Sequence, residues 1–427
     1  MVTSAGPLEI AVVGCGSAGG ASALYLSRAG HRVTVFEAVP DPKPVGAGIL
    51  LQPTGMAVLA ELGVLGQVLP RGARVESLYC HTPSGRSVID LAYGSLREGL
   101  FGLGTHRGLL FEAIFDAVQE AEIELRTGVA ITSMQERADK RELVDEDGEV
   151  LGAFDLVVVA DGARSQLRAA TGLTRRDKRY PWGALWLVAE DPDRIFRGQL
   201  YQVVRSTRTM LGFLPTGLGP ASAGNNTPKT SMFWSVAIDR VDALKAEGTE
   251  AFRHRVLELV PQAEPLVAQI EDVKSLVVAN YYDVVLKRWH DRNVVLLGDA
   301  AHAMSPQLGQ GANLALFDAK VLAECVGEED TVPAALAAYN RRRYRQLGYY
   351  QLMTRWLTPF FQSDVTALGW LRDLFMGPVC AIGPARQQMI RTMAGIKRGL
   401  IRPSMALPPP PKGLLTASMQ PSPPPSP

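Results

Sequence analysis

The hydrophobic pattern changes period several times along the chain, and each change marks an element. Leu8 to Val13 is an apolar strand interrupted only by Glu9, Ala18 to Ala29 a small-residue stretch of helical length, and Arg32 to Phe36 a second strand ending at Glu37. Strand, helix and strand at this spacing predict a βαβ unit. Arg107 to Ala121 places Leu109, Leu110, Ala113, Ile114, Ala117 and Val118 on one helical face. Short strands follow at Ile123 to Arg126 and Val129 to Gln135, and an Asp147-Gly148 turn precedes Phe154 to Ala160. That last segment and Asn293 to Leu297 are apolar apart from Asp155 and Asn293, as parallel strands covered on both faces are. Between Trp182 and Ile238 the pattern alternates and is rich in aromatics, which predicts a separate sheet. A stretch rich in Gly, Pro, Ser and Asn, Gly217 to Thr230, interrupts it and is expected to be a mobile edge loop. Ala312 to Cys325 and Pro333 to Leu357 read as helices, with Arg341, Arg342, Arg343 and Arg345 forming a solvated face.

Composition narrows the function more than the fold. The chain has 427 residues, enough for two or three domains, and 44 Lys+Arg against 43 Asp+Glu. No overall basic field argues for nucleic acid, so a small molecule is the default partner. Cys15, Cys80, Cys325 and Cys380 form no metal-type spacing and read as the reduced thiols of a cytoplasmic protein; no metal site is expected. The uncharged stretches 10–27 and 300–317 are broken by glycines and polar residues, and Leu374 to Ala385 is too short to span a bilayer, so no transmembrane segment is expected. The last 21 residues hold nine prolines and no aromatic residue, and are expected to be disordered.

Three separated signatures carry the chemistry. Gly14-Cys15-Gly16-Ser17-Ala18-Gly19, after a strand and opening a helix, is a cradle for pyrophosphate on a helix N-terminus. Glu37, 23 residues after Gly14, sits where a carboxylate can accept hydrogen bonds from adenosine ribose hydroxyls. Asp161-Gly162-Ala163-Arg164-Ser165, with Arg168, follows a strand in mid-chain. Gly298-Asp299-Ala300-Ala301-His302, with Pro306 and Gly309-Gln310-Gly311-Ala312-Asn313, follows another late in the chain.

In this order and spacing the three signatures resemble the single-component FAD-dependent aromatic-ring monooxygenases, the family of para-hydroxybenzoate and salicylate hydroxylases. The resemblance covers most of residues 8–400. It implies an α/β Rossmann-like FAD-binding domain, an antiparallel α+β substrate domain and C-terminal helices. The corresponding segments are 1–180 and 281–330 for FAD, 181–280 for substrate, 331–406 for the helices and 407–427 for the tail. It further implies noncovalent FAD, NADH or NADPH as a transient co-substrate, O2, and an electron-rich aromatic or heteroaromatic substrate. Oxygen would pass from a flavin C4a-hydroperoxide to the ring, by hydroxylation or by epoxidation. Arg107 matches a position that contacts the flavin side chain. Asp299 at a strand end suits a ribityl hydroxyl. Backbone N–H groups around Gly309 to Asn313, at a helix start, suit the flavin ring. Asp161 and Arg164 are expected near the nicotinamide donor.

Each assignment has a plainer counterpart. Asp161 can cap its own loop, Arg107 can be a solvated helix start, and His302 is expected to satisfy local structure rather than act as a base. Trp186, Tyr201, Phe213, Trp234 and Pro306 are the substrate-wall candidates, although aromatics alternating in strands are more often core. No catalytic acid or base can be named. Thr54 and Ala303 depart from the residues common in the family, Asn and Pro, which leaves the substrate open. The rival readings are a NAD-dependent dehydrogenase and a regulatory protein that keeps flavin for structure.

Overall fold

The computed structural model describes residues 6–409; most of the Pro-rich tail, 410–427, lies outside them. The βαβ unit forms as Glu9–Val13, Ser17–Arg28 and Arg32–Glu37. Its first strand lies inside a six-stranded sheet, between Arg32–Glu37 and Leu156–Val159. Glu124–Thr127 extends one side, and Val294–Leu296 with the antiparallel pair His290–Asp291 the other. Ile10, Ala11, Val12, Val157, Val158 and Val159 are fully buried, as the unbroken apolar runs require. Helix Ser17–Arg28 packs tightly on helix Arg107–Glu120, since a Cβ at Gly20 would stand 2.4 Å from an Ile114 methyl.

The second sheet is wider than the alternating segment 182–238. Thr174–Glu190, Gly198–Arg205, Thr209–Gly217, Lys229–Ala237 and Val277–Leu286 are joined by Gly48–Leu51, Ala73–His81, Ser87–Ala92 and Gly102–His106. Its pairings are antiparallel except for Gly198–Arg205 beside Ala73–His81. Helices Val241–Ala246, Thr249–Leu259 and Glu264–Val267 cover its outer face, where Leu185, Phe213, Met232 and Trp234 pack with Phe252 and Val256. A small third sheet, Ile131–Arg137, Lys140–Asp145 and Val150–Phe154, flanks the first. Helices Gly311–Glu328, Val332–Phe361, Thr366–Ala381 and Gly383–Met393 complete the described chain.

The arginine run on the long helix is not uniformly solvated. Arg343 is fully buried, and its Nε donates to Asp318 Oδ1 at 2.7 Å. The other carboxylate oxygen accepts from His302 Nε2 at 2.6 Å and from the backbone N–H of Gly298 at 3.1 Å. The run fixes a helix but not which of its members turns inward, and the partner that decides it lies 25 residues away on another helix. Burial alone would raise the Asp318 carboxyl, but the charges of Arg343 and His302 and their hydrogen bonds hold it down at about 2.

This buried cluster makes stability acid-sensitive. The folded pKa lies below the ordinary carboxyl value of 3.8, so the stabilisation is complete above that value and is lost as pH falls towards about 2. Asp318→Asn leaves Arg343 buried without its counter-charge and is expected to cost about 3–5 kcal/mol. Denaturant unfolding checks both points: the loss should be clear at neutral pH, and the variant should decline less steeply than the wild type between pH 3.8 and about 2.

Candidate active site

Glycines set the geometry where strands and helices converge. Gly14 has φ +95°, and a Cβ there would lie 2.6 Å from the carbonyl oxygen of Ala160. A Cβ on Gly19 would overlap the Gly14 carbonyl oxygen at 1.8 Å. Gly16, the residue before the helix, instead faces open space, and no side chain caps the helix start at Ser17. The turn therefore keeps free N–H groups directed at a gap, the form of an anion cradle. Glu37 stands beside it, with Oε2 accepting from the Cys15 N–H at 2.8 Å and Oε1 from the Val39 N–H at 3.0 Å. Arg107 is exposed at the start of its helix, its stem 3.1 Å from the Cβ position of Gly46 and its N–H on the Ala47 carbonyl at 2.9 Å.

The two acidic turns lie side by side. Asp161 follows Leu156–Val159 directly beside Gly14, with its Cα 3.1 Å from the Gly14 Cβ position. Burial pushes its carboxyl above the usual range, against a hydrogen bond from Ser165, and its Oδ1 is buried without a partner. Arg164 is exposed. Arg168 is buried, pairs with Asp177 at 2.6 Å, and donates to the carbonyls of Ala163 at 2.9 Å and Ala300 at 3.1 Å. It thus fastens the Asp161 turn to the Asp299 turn.

Gly298, at φ +54°, lets Ala18 and Ala315 close around the strand end, since its Cβ would meet theirs at 2.9 and 3.4 Å. Asp299 is exposed, and its Oδ1 lies 4.0 Å from the Cβ position of Gly311. Helix Gly311–Glu328 starts without a side-chain cap, so Gly311 and Ala312 present backbone N–H groups there. The side chains of Gln310 and Asn313 do not share this role. Gln310 donates to the Met393 carbonyl at 2.8 Å, while Asn313 accepts from the Gln52 N–H at 2.7 Å and donates to the carbonyls of Leu50 and Gly309, each at 3.1 Å. Pro306 is exposed on the turn before Gly309.

Register separates the substrate-wall candidates. Trp186 pairs with Phe233 on the inner face, and its indole N–H donates to Tyr281 at 3.3 Å. Tyr201 and Phe213 are cross-strand partners on the outer face, both stacked on Phe196, and Trp234 packs there on Phe252. These three belong to the core under the covering helices and do not line the inner face. Sequence reasoning missed Gln52. It is fully buried, takes the Tyr93 hydroxyl on Oε1 at 2.5 Å, and leaves Nε2 without a partner, 4.0 Å from the Gly309 Cβ position. A buried amide whose two N–H donors are both unmet marks a place where a ligand can accept. Its place just before Pro53 at a helix start was the available signal.

Comparison with known proteins agrees with this arrangement. Residues 7–347 match the FAD binding domain family, and the chain belongs to it. Kynurenine 3-monooxygenase of Salinispora arenicola is 30% identical over 78% of this chain and 76% of its own length. 2-heptyl-3-hydroxy-4(1H)-quinolone synthase of Pseudomonas aeruginosa is 28% identical over 74% of this chain and 80% of its own length. Among solved structures, Klebsiella pneumoniae HpxO complexed with FAD and uric acid superposes with a TM-score of 0.75 at 22% identity, covering 91% of this chain and 97% of that one. The protein is an FAD-dependent aromatic-ring monooxygenase, and neither the dehydrogenase nor the regulatory reading stands.

One loop bridges the two sheets beside this site. The segment after Gly217 was expected to be mobile but is held at both sides. Arg71 donates to the carbonyls of Gly219 at 2.9 Å and Pro220 at 3.2 Å, and Glu112 accepts from the N–H groups of Ala221 at 2.6 Å and Ser222 at 2.9 Å. Burial would raise the Glu112 carboxyl, yet the bonds to Ser222 and Ala221 and the charge of Arg71 outweigh it and lower the pKa. Glu112→Ala is expected to cost about 1 kcal/mol, since the freed N–H groups reach water. Limited proteolysis should then cut faster within 217–228. In the wild type the loop should loosen as pH falls below the usual 4.5, where Glu112 protonates.

Proposed function

We propose that the substrate is a neutral, apolar, electron-rich bicyclic heteroaromatic, hydroxylated on the ring at the inner face of the large sheet. The observation that carries this is the lining. Trp186, Gly212, Leu214, Thr216, Ser231 and Phe233 share that face by register, and none is ionisable. A carboxylate-bearing ring would find no counter-charge among them, whereas an apolar ring would be desolvated favourably. The alkylquinolone named for one relative has this chemistry, and kynurenine does not.

The open cradle at Gly16, the unpartnered Asp161 Oδ1 and the uncapped start of Gly311–Glu328 fit FAD. We assign Gly14, Gly16, Ser17, Ala18 and Gly19 to the pyrophosphate, Glu37 to the adenosine ribose and Asp299 to the ribityl chain. The N–H groups of Gly311 and Ala312 would hold the pyrimidine end of the ring, and Arg107 the side of the cofactor. Bound there, FAD supplies the redox chemistry, taking a hydride from NAD(P)H and delivering one atom of O2 to the aromatic ring while the other leaves as water. Arg164, exposed beside Asp161, is placed to meet the phosphates of NAD(P)H as it docks transiently. Trp186 and Phe233 exclude water from the ring, which protects product yield. Four buried free thiols support a reducing, cytoplasmic setting.

The purified protein should be yellow and release its FAD on acid precipitation. Oxidation of NAD(P)H should be stimulated by 2-alkyl-4-quinolones, with an oxygenated product, and not by kynurenine or hydroxybenzoates. The reverse order would overturn the substrate assignment, and no flavin at all would overturn the whole reading.

Asp299→Ala should fold, because its carboxylate is exposed rather than part of the core. The adenosine end keeps Glu37 and the glycine cradle, but the ribityl chain loses its anchor, so the reaction should uncouple: more hydrogen peroxide and less product per NAD(P)H. Product per NAD(P)H at matched flavin occupancy is the measurement. Wild-type coupling in the variant would remove Asp299 from this role.

A further inference from the structure

Helix Thr366–Ala381 packs Met376 and Cys380 inward but leaves most of its large apolar side chains outside. Its inward face holds Gly369, whose Cβ would lie 3.1 Å from the Ser206 backbone, Gly377, whose Cβ would lie 2.4 Å from the Ser87 carbonyl oxygen, and the buried Arg372. The Arg372 guanidinium donates to the carbonyls of Ser206 and Phe360, each at 2.9 Å, and to Asp373. The outward face carries Trp370 at 80% exposure and Leu371, Leu374, Phe375, Val379 and Ile382 at 43–57%. A surface helix of a soluble domain keeps such large apolar side chains on its buried face. Six large apolar side chains gathered on one exposed face mark an interaction site.

The surroundings say what kind. At the helix start, Arg208 at 2.9 Å and Arg240 at 3.3 Å converge on the single carboxylate of Asp364. Along its flank the exposed Arg86 donates to the Asp373 carbonyl and the half-buried Arg386 to the Asp90 carbonyl. Residues 341–409 contain eleven Lys/Arg and two Asp/Glu, while the rest of the chain carries more acid than base; of the eleven, Arg343, Arg372 and Lys397 are buried. An apolar ridge with an aromatic residue near one end and a cationic rim matches the boundary of an anionic bilayer, where side chains enter the acyl edge and arginines meet lipid phosphates.

We propose that this face docks the enzyme on an anionic lipid membrane, with the helix lying in the plane of the interface. Among the described residues no helix is long and apolar enough to cross, so the contact is peripheral. A second copy fits less well, because a two-fold contact would lay one cationic rim on another. The tail fits less well too: residues 410–427 contain one lysine and no acid to meet the rim.

The test is flotation of the full-length, FAD-loaded enzyme with vesicles of phosphatidylglycerol and phosphatidylethanolamine, against vesicles of phosphatidylcholine alone. Binding to the anionic vesicles is expected, weakened by salt, with a blue shift of tryptophan emission. The double substitution Trp370→Ser, Phe375→Ser should lower partitioning by about tenfold or more, because it removes exposed apolar area only. Flavin absorbance and melting temperature should be retained. Arg86→Gln and Arg386→Gln should each lower it by about fivefold at low salt and leave the apolar face intact. The proposal is overturned by absence of binding at low salt or by binding indifferent to all these substitutions. A dimer that the double substitution dissolves, without vesicle binding, would instead identify a second copy. Vesicle binding that appears only after truncation beyond Pro409 would identify the tail as the occupant and overturn the proposal for the intact chain.

Discussion

The active-site region rests on one buried carboxylate. Asp318 joins the turn after strand Val294–Leu296, through the Gly298 N–H and the His302 ring, to the long C-terminal helix through Arg343. Its own helix begins at Gly311, whose free N–H groups face the site. One side chain therefore sets where a strand end, a helix start and the packing helix meet. Such a buried ionic hub contributes little net stability compared with a well-packed apolar core, but any misalignment leaves a charge unpaired, so it defines position strictly. Arg168 plays the parallel role on the other side, holding the turns at Asp161 and Asp299 together through backbone carbonyls.

What could be read from the sequence was what is local. The glycine turn, Glu37 at the end of the second strand and the Asp161 and Asp299 turns declare themselves because each needs particular residues at fixed short spacing. The long helices were legible for the same reason. The strands Gly48–Leu51, Ala73–His81, Ser87–Ala92 and Gly102–His106 were not, since short segments gain their structure from distant partners. Alternation told that Trp186 and Phe213 lie in strands without telling which face is which. Only register does, and it placed Tyr201, Phe213 and Trp234 under the outer helices. Burial of Arg343 was hidden for a related reason, because its partner is remote while its neighbours share its charge.

The two sheets divide the work of the site. The parallel sheet offers backbone groups at strand and helix ends, which bind through geometry and tolerate little substitution. The large sheet offers side chains from several strands, each free to vary with modest effect on the backbone. Gln52 sits on the border, its backbone tied to Asn313 and its amide oriented by Tyr93, with both N–H groups of Nε2 left over. Such a donor, fixed from both sides, has a direction before any ligand arrives.

The Asn313 amide has a consequence for remodelling the enzyme. By gripping Leu50 and Gln52 it clamps an edge strand of the large sheet to the helix that begins at Gly311. Any change that shifts Gly48–Leu51 is passed straight to the start of that helix. Libraries seeking new regioselectivity should therefore diversify Trp186 and Phe233, and keep the edge strand as a fixed datum together with Leu214 and Ser231, which pack on Leu50 and at Gly48.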